Sequence, residues 1–187
     1  MYKNTTLNDV QLAEAYYPIL VDLATHNQRL TLTYGELIDE AKKIYPGKVC
    51  VQNAIPVSTG RKLAVVRMFT NERNLPDVTS LIINKGDGEC GSGFTDHFNP
   101  ENARSKVYAY DWSGVSAEFN IYVEAVEKLV TPRKSRKRNG AIKIMSEFYR
   151  DNKELYSESI KEKRDEIILL LMEGFSAEES FSQVVDT

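Results

Sequence analysis

The residue types best suited to chemistry lie together in one glycine-rich stretch, residues 86–97, which holds a cysteine, three acids and a histidine. A cysteine acts as a nucleophile only as its thiolate, which forms where a base or positive surroundings lower the thiol pKa. Asp87 and Glu89 flank Cys90 and would raise its pKa instead. We therefore expect Cys90 to be a small turn residue, with nucleophilic catalysis as the less favoured alternative.

The same stretch also carries groups that bind hard divalent cations. Asp87, Glu89, Asp96 and His97 could ligate such an ion, because carboxylate oxygens are the ligands it prefers. Acids in turns are more often simply solvated, so the sequence favours no metal and no other cofactor. No complete catalytic set is visible elsewhere in the chain, and we expect a protein that is not an enzyme.

The composition is that of an ordinary folded domain. Hydrophobic residues make up 42% and charged residues 27% of the 187-residue chain, which allows a sizeable core. No apolar run approaches the roughly 18 residues of a membrane span, and the N-terminus lacks the apolar core of a signal peptide. We expect a cytoplasmic protein with no membrane contact and reduced cysteines. The net charge of −3 excludes coating of nucleic acid by bulk charge but permits a local basic face.

Apolar residues recur at helical spacing in three N-terminal segments. The first spans residues 9–27. The second opens at Thr33, where Glu36 three residues later completes a capping box. The third, residues 61–74, has one apolar face and one basic face. These patterns predict three consecutive helices, the last of which could present its basic side chains to a ligand.

A strand and a glycine turn follow these helices. The β-branched run 78–85 predicts a strand, and the glycines after it supply a tight turn from which the chain returns as a second strand near Phe94. This order is that of a winged helix-turn-helix. We therefore predict an α+β, mostly helical fold, in which a glycine-rich β-hairpin forms the wing and the C-terminal extension is helical. The predicted parts are a winged-helix-like domain 1–112, a connecting helix 113–130, a basic linker 131–140 and a helical C-terminal region 141–187.

In such a domain a basic helix enters the major groove while the wing follows the phosphate backbone. A basic linker beside the domain would add affinity through counterion release. The alternative is that the basic residues of the helix and of the linker simply face water and bind no nucleic acid. The predicted nucleic-acid-binding residues are Thr33, Tyr34, Arg61, Lys62, Arg67, Arg73 and Lys85 in the domain, and Arg133, Lys134, Arg136, Lys137 and Arg138 in the linker.

Aromatic residues cluster in the sequence KVYAYDW, where Tyr108, Tyr110 and Trp112 alternate as in a strand or a buried patch. Core packing is the expected role of these rings. Stacking against a nucleic-acid base is the less favoured alternative.

The stretches TLTYGELIDEA, GRKLAVVRMF and NLPDVTSLIINKGDGECGSGF resemble the C-terminal domain of the alkylguanine-DNA alkyltransferases and their alkyltransferase-like relatives. The resemblance covers residues 8–95. It includes the T-Y-G that opens a helix, an arginine-bearing recognition helix, and L-P before a strand and glycine turn. It implies a winged helix that binds DNA, with Arg61 or Arg67 near the intercalating arginine of that family.

The chain departs from the family at the reactive position. Pro76 stands where the family's proline precedes its reactive residue, but the next residue is Asp77, where the transferases have cysteine. No His-Arg-Val follows it. The resemblance therefore implies a fold that has been kept and an alkyl transfer activity that has been lost.

We predict a non-catalytic DNA-binding protein. The alternative is a protein-interaction factor, such as an accessory protein of a phage or mobile element, that inhibits or recruits a nucleic-acid enzyme through its acidic turn. In the C-terminal helices, Ile168, Leu169 and Met172 extend the apolar surface beyond one packing face. This excess predicts a homodimer or a protein partner bound through those helices.

Overall fold

A computed structural model describes residues 5–26, 30–130 and 133–185 of the chain. These residues divide into two compact units, Met1–Thr131 and Pro132–Thr187, which we call unit 1 and unit 2. Each unit has a hydrophobic core of its own. The boundary between the two units comes after the predicted connecting helix 113–130, so this helix belongs to unit 1.

Unit 1 is mostly helical, with one very short sheet. Two of its connections contain 3-10 turns, at Pro56–Ser58 and Val78–Leu81. In chain order its elements are α1 (Leu7–His26), β1 (Leu32–Thr33), α2 (Tyr34–Ile44), α3 (Val49–Gln52), α4 (Thr59–Glu72), β2 (Ile82–Ile83), α5 (Ser92–Thr95), α6 (Pro100–Ala109) and α7 (Val115–Leu129).

Helix α1 lies at the centre of unit 1 and is contacted by α2, α4, α6 and α7. It is apolar on most faces, and Tyr16 and Tyr17 are fully buried. Tyr17 stacks on Phe119 of α7 at 3.9 Å between ring centroids and meets Phe69 of α4 edge-on at 5.6 Å. Pro18 is exposed and does not interrupt the helix. Neither α1 nor any other helix within the described ranges is long and apolar enough to cross a membrane.

The sheet of unit 1 consists of two strands that pair in parallel. Leu32 lies opposite Ile82, and Thr33 lies opposite Ile83. The strand predicted over residues 78–85 is therefore only two residues long. This pairing places the start of α2 next to the chain that leaves β2.

Asp77 explains why the predicted strand is so short. Its Oδ1 accepts hydrogen bonds from the backbone N–H of Thr79 at 3.0 Å and from the Thr79 hydroxyl at 2.6 Å. Such a local side-chain to backbone contact offers the chain a turn instead of a sheet ladder. The contact starts the 3-10 turn Val78–Leu81, and it outweighs the β-propensity of the residues in that turn.

A closed loop and a short helix replace the expected β-hairpin. The backbone N–H of Asn84 donates to the Glu89 carbonyl at 2.7 Å, and that of Gly88 donates to the Asn84 carbonyl at 3.1 Å. Gly88 supplies the positive φ of 73° that this turn requires. Phe94, expected in a returning strand, lies in α5 and is 3% exposed. In the part of the chain that the structure describes, β1 and β2 form the only sheet.

Within its described residues, 133–185, unit 2 is built from three α-helices, of which the middle one packs against both others. Ile167, Ile168 and Leu171 of this middle helix are almost fully buried in the core. Phe148, Tyr156 and Phe181 form an aromatic group beside them. The elements are α8 (Arg138–Asp151), 3-10 turns at Lys153–Leu155 and Glu158–Lys161, α9 (Arg164–Met172) and α10 (Ala177–Val185).

Two expectations for this region change. The segment predicted as a linker has its residues 133–137 within unit 2, and α8 begins at Arg138. Ile168, expected on a surplus apolar face, is buried inside the unit, while Leu169 and Met172 are half-buried. The apolar surface left for a second copy is therefore smaller than the sequence pattern indicated, because α8 and α10 cover α9 from both sides.

The aromatic group around α1 leads to a prediction about stability. Phe119→Ala removes a ring that contacts both Tyr17 and Phe69, and we expect the free energy of unfolding of unit 1 to fall by about 3–5 kcal/mol. Urea unfolding followed by tryptophan fluorescence measures this, because Trp112 lies in unit 1. Ile121→Ala on the same helix is the control. Ile121 is 67% exposed, so its replacement should change the midpoint little; equal losses in the two variants would contradict the prediction.

Candidate interaction site at the glycine-rich loop

Arg67 of α4 fixes the position of the glycine-rich loop, which we define as residues 84–99. Its Nε donates to Asp77 Oδ2 at 2.8 Å and its Nη1 donates to the Gly93 carbonyl at 2.7 Å. The guanidinium also lies 4.7 Å from the centre of the Phe94 ring. Arginine can make these contacts together because its planar group has several donors in a fixed geometry. One side chain thus ties α4, the start of the 3-10 turn and the loop.

Arg104 of α6 provides a second attachment of the loop, at Cys90. Its Nε donates to the Ser80 carbonyl at 2.8 Å, and its Nη2 lies 3.3 Å from Cys90 Sγ. The thiol in turn donates to the Ser80 carbonyl at 3.4 Å and is 4% exposed. Burial raises the pKa of the Cys90 thiol, although Arg104 opposes this effect. The group is therefore a neutral structural thiol at neutral pH, and it lacks the thiolate character of a nucleophile.

Tyr34 of α2 provides the third attachment. Its hydroxyl forms a hydrogen bond with the Gly91 backbone. A Cβ atom at position 91 would lie 2.9 Å from the Tyr34 hydroxyl oxygen, which is closer than real Cβ contacts. Only glycine therefore allows the loop to approach Tyr34 this closely. Burial raises the pKa of the Tyr34 hydroxyl, so the group stays protonated at neutral pH.

The loop held in this way presents an exposed aromatic ring and several exposed acids. Phe98 is 47% exposed, and its ring centroid is 5.4 Å from that of the buried Phe94. An exposed aromatic side chain on a fixed loop is the kind of residue that dominates binding energy at protein interfaces. The exposed charged or titratable residues of the same loop are Lys85, Asp87, Glu89, Asp96 and His97.

Asp87, Glu89, Asp96 and His97 are the metal-ligand candidates of the sequence. Asp87 Oδ1 accepts the backbone N–H of Glu89 at 2.9 Å, so one of these carboxylates stabilises the turn itself. Among the described residues, no group of three or more histidine, cysteine or acidic side chains converges as a metal site requires. The exposed acids give the loop a negatively charged surface.

Three predicted nucleic-acid-binding residues come together beside the sheet. Thr33 caps α2, and its capping box with Glu36 is present as predicted. Hydrogen bonds from Thr33 lower the pKa of Glu36, and nearby Lys85 adds to this effect. Tyr34 follows directly and is half-buried. Lys85 is exposed, so this edge holds one positive charge next to an acid.

The basic face of α4 does not point to solvent. Asp9 of α1 is completely buried, and Arg61 and Lys62 each place a nitrogen 3.3 Å from its Oδ1. Lys62 is 1% exposed and cannot reach a phosphate, which corrects its expected role. A buried carboxylate requires such counter-charges, because an unpaired charge away from water is very costly. Arg73, further along α4, lies 3.4 Å from Glu118.

Asp9 is a buried charged residue whose role the sequence pattern did not indicate. The backbone N–H of Thr6 donates to Asp9 Oδ2 at 2.8 Å, and the Asp9 N–H donates to Thr6 Oγ1 at 3.1 Å. Thr6 and Asp9 thus form a reciprocal cap at the start of α1. The three-residue spacing of Thr6 and Asp9 is typical of such a cap and could be recognised in the sequence. Nothing in the sequence indicated that the same carboxylate would also face two cations of α4.

The arginines of the predicted linker are part of the packing of unit 2. Arg136 Nη1 donates to the carbonyls of Leu171 at 2.9 Å and Phe175 at 2.8 Å, where α9 ends and its backbone oxygens need donors. Arg138 pairs with Asp165 at 2.9 Å. Of the predicted basic residues in this segment, Lys134, Lys137 and Arg138 are exposed.

Arg133 forms the strongest of these contacts. Its two terminal nitrogens donate to the carboxylate of Glu179 at 2.8 and 3.1 Å, and the guanidinium lies 4.1 Å from the centre of the Phe175 ring. The backbone N–H of Ser176 also donates to Glu179 at 2.8 Å. The Arg133 hydrogen bonds, followed by that of Ser176, lower the pKa of Glu179 to about 2.

The exposed charge of unit 1 is consequently acidic. Most of its arginines and lysines are half-buried or buried, whereas most of its acids face water. Among the described residues of unit 1, the exposed lysines are Lys43, Lys85, Lys106 and Lys128, and the exposed acids are Asp22, Glu36, Asp39, Glu72, Asp87, Glu89, Asp96, Glu101, Asp111, Glu118 and Glu124.

Comparison of the chain with protein-family models, with curated proteins and with solved structures found no match. No residue role is therefore carried over from a relative. The contacts of Arg67, Arg104 and Tyr34 with the loop are the basis for assigning it a role.

The close approach at Gly91 gives a testable prediction. Gly91→Ala places a methyl group against the Tyr34 hydroxyl, and we expect the free energy of unfolding to fall by about 1–2 kcal/mol. Tyr34→Phe removes the oxygen that clashes but also loses the hydrogen bond from Gly91, so it should lower the stability by itself. In the Tyr34→Phe background, Gly91→Ala should then cost little further stability. Gly93→Ala is the control, since nothing lies within 4 Å of a Cβ there. Urea denaturation of the wild-type protein and the four variants measures the effect; an additive double variant would contradict it.

The ion pair in unit 2 predicts a pH dependence. The pKa of Glu179 is lowered from 4.5 to about 2 on folding, so its contribution is fully present above pH 4.5 and is lost as the pH falls towards 2. Because the Glu179 side chain is 39% exposed, we expect solvent screening to limit this contribution to about 1 kcal/mol.

The measurement compares the wild-type protein with Glu179→Gln by urea unfolding, monitored by circular dichroism at several pH values. The stability difference between the two should be constant from pH 5 to 7 and should shrink steadily below pH 4.5. A difference that stays the same at pH 3 would show that the pair does not lower this pKa.

Proposed function

We propose that the protein is a non-catalytic protein-interaction factor that binds a basic surface of its partner through the glycine-rich loop. The observation that carries this proposal is the exposed Phe98, which contacts Arg67 and shares the glycine-rich loop with the exposed acids Asp87, Glu89 and Asp96. A loop ordered before binding loses little conformational entropy in the complex. Acids around an aromatic anchor favour a partner whose contact surface is positively charged.

Nucleic-acid enzymes have such surfaces, since they hold phosphates with lysine and arginine. An acidic protein that covers a surface of this kind would inhibit the enzyme, or would recruit it to another place. The neutral Cys90 and the absence of a converging metal-ligand group among the described residues support a role without catalysis. A cytoplasmic location is part of the proposal and agrees with the free thiols of Cys50 and Cys90.

DNA binding by a winged-helix-like unit 1 is the second candidate. The observation that favours it is the edge formed by Thr33, Tyr34 and Lys85, which the parallel strands bring together. The resemblance to alkyltransferase-like proteins supports the same candidate. The acidic exposed charge of unit 1 weakens it, because affinity for DNA comes largely from neutralised phosphates. A homodimer or a partner held by the helices of unit 2 is compatible with either candidate.

Two labelled probes distinguish these candidates in anisotropy titrations of the full chain. One is a 20-base-pair duplex, and the other is an arginine-rich peptide that also contains leucine; each is titrated at 50 and 200 mM salt. We expect saturable binding of the peptide that weakens with salt, and no saturable binding of the duplex. Tight, strongly salt-dependent binding of the duplex that Lys85→Glu abolishes would instead support the DNA-binding candidate.

Variants then locate the peptide site. The triple substitution Asp87→Asn, Glu89→Gln, Asp96→Asn should weaken peptide binding about tenfold, because each exposed pair contributes roughly 0.5 kcal/mol. Phe98→Ala should weaken it separately through lost apolar contact. The matched control neutralises three exposed acids of unit 2, namely Glu154, Glu162 and Glu178. If both triple variants lose the same affinity, bulk charge is responsible and the loop is not the site.

A further inference from the structure

A second place in unit 1 has the shape of a ligand site. An open cavity of about 320 Å³ lies between α1 and the chain that joins α6 to α7. One wall is formed by Val21 and Ala24 of α1, and the other by Tyr108 and the run from Tyr110 to Ser113. Ligand pockets in proteins begin at about 300 Å³, so this cavity suits one side chain or a small molecule better than a large ligand.

Two of the three aromatic rings of the cavity are fixed by hydrogen bonds at their polar atoms, and the third packs against one of them. Trp112 is 5% exposed, and its Nε1 donates to the Val107 carbonyl at 2.9 Å. Tyr108 donates its hydroxyl hydrogen to the Leu30 carbonyl at 2.8 Å. Tyr110 meets the Trp112 ring edge-on at 5.0 Å between centroids and is 37% exposed. The cavity therefore offers aromatic surface whose orientation is set before any ligand enters.

A carboxylate lies between the two rings in sequence and lines the same cavity. Asp111 is exposed, and its Oδ1 accepts the backbone N–H of Ser113 at 2.9 Å. Hydrogen bonds from the Ser113 backbone and side chain lower the pKa of Asp111, so the group is ionised at neutral pH. Within the described ranges, Asp111 makes no ion pair, and no lysine or arginine lines the cavity.

We infer that this cavity is a binding site for a cationic side chain, either a guanidinium or a methylated ammonium, carried by a partner peptide. Ring faces attract cations through their negative centre, and tryptophan and tyrosine do so best. Asp111 adds a full negative charge at the same place. A nucleobase could also stack on the rings, but its phosphates would meet Asp111. The site goes beyond the proposed role of the glycine-rich loop and uses none of its residues.

The chain contains a single tryptophan, so fluorescence of Trp112 reports directly on this site. We expect tetramethylammonium and arginine amide to change the emission of the full-length protein with a dissociation constant in the millimolar range. Neopentyl alcohol and citrulline amide are the matched neutral probes, because they copy the shape without the charge. Each neutral probe should bind at least about fivefold more weakly, in line with roughly 1 kcal/mol for a cation over a ring.

Three variants test the assignment. Asp111→Asn keeps the acceptor for Ser113 but removes the charge, and should weaken both cations about tenfold. Tyr110→Ala should weaken them by a similar factor, whereas Tyr110→Phe keeps the ring and should bind within about twofold of the wild type. Circular dichroism of each variant shows whether the fold is retained.

Several outcomes would overturn the inference. Equal affinity for charged and neutral probes would mean a merely apolar cavity, and unchanged cation binding in Asp111→Asn would remove the carboxylate from the site. Binding of a single-stranded oligonucleotide that strengthens in Asp111→Asn would mean a base-stacking site. No response to any probe would show that the cavity binds no cation. Because only small probes are used, these results do not depend on whether the glycine-rich loop binds a partner.

Discussion

The fixed geometry of the Arg67 guanidinium is the constraint on which the candidate site depends. It joins Asp77, which starts a 3-10 turn, to Gly93 within the glycine-rich loop, and it covers the ring of Phe94. Arg104 and Tyr34 attach the same loop from two other helices. A segment rich in glycine would ordinarily have many conformations, since glycine restricts the backbone least. Here the surrounding helices supply the restriction that the loop sequence lacks.

Several of the positive charges in this protein complete the structure and do not face water. Lys62 is buried against a buried carboxylate, and Arg136 satisfies the carbonyls at the end of a helix. A buried acid without such partners would be strongly destabilising, so these cations are required for the fold itself. In unit 1 the exposed acids, which need no partner when they face water, therefore determine the charge that an approaching molecule meets. The sign of an exposed surface can thus differ from the sign suggested by the basic residues of a helix.

Features with a local cause could be predicted from the sequence, and features with a distant cause could not. The capping box at Thr33 was predictable because both partners lie three residues apart, and the helices of unit 2 followed from their apolar spacing. The hairpin prediction was wrong because Asp77 redirects the chain into a turn and because Phe94 packs under Arg67. The contact of Asp77 with Thr79 is local, so its spacing could be read in the sequence, whereas the contact of Phe94 comes from a different helix and could not. The prediction that the basic face of α4 meets nucleic acid also missed a distant contact. Its residues Arg61 and Lys62 lie against Asp9, which belongs to a different helix, α1. Trp112 was expected in the core and is buried there, but the cavity beside it depends on α1.

The contact between Arg133 and Glu179 has a consequence for how unit 2 folds. The two residues stand 46 positions apart, near the two ends of the unit, and the bidentate pair therefore closes almost the whole segment into a ring. A Cβ atom at Gly174 would lie 2.7 Å from the Arg133 Cβ, so the first residues of the ring also pass directly over the turn before α10. Closing a ring costs chain entropy before its contacts are gained. Unit 2 should therefore gain and lose its two ends together, as one cooperative step, and an interruption of the chain at one end would release the other.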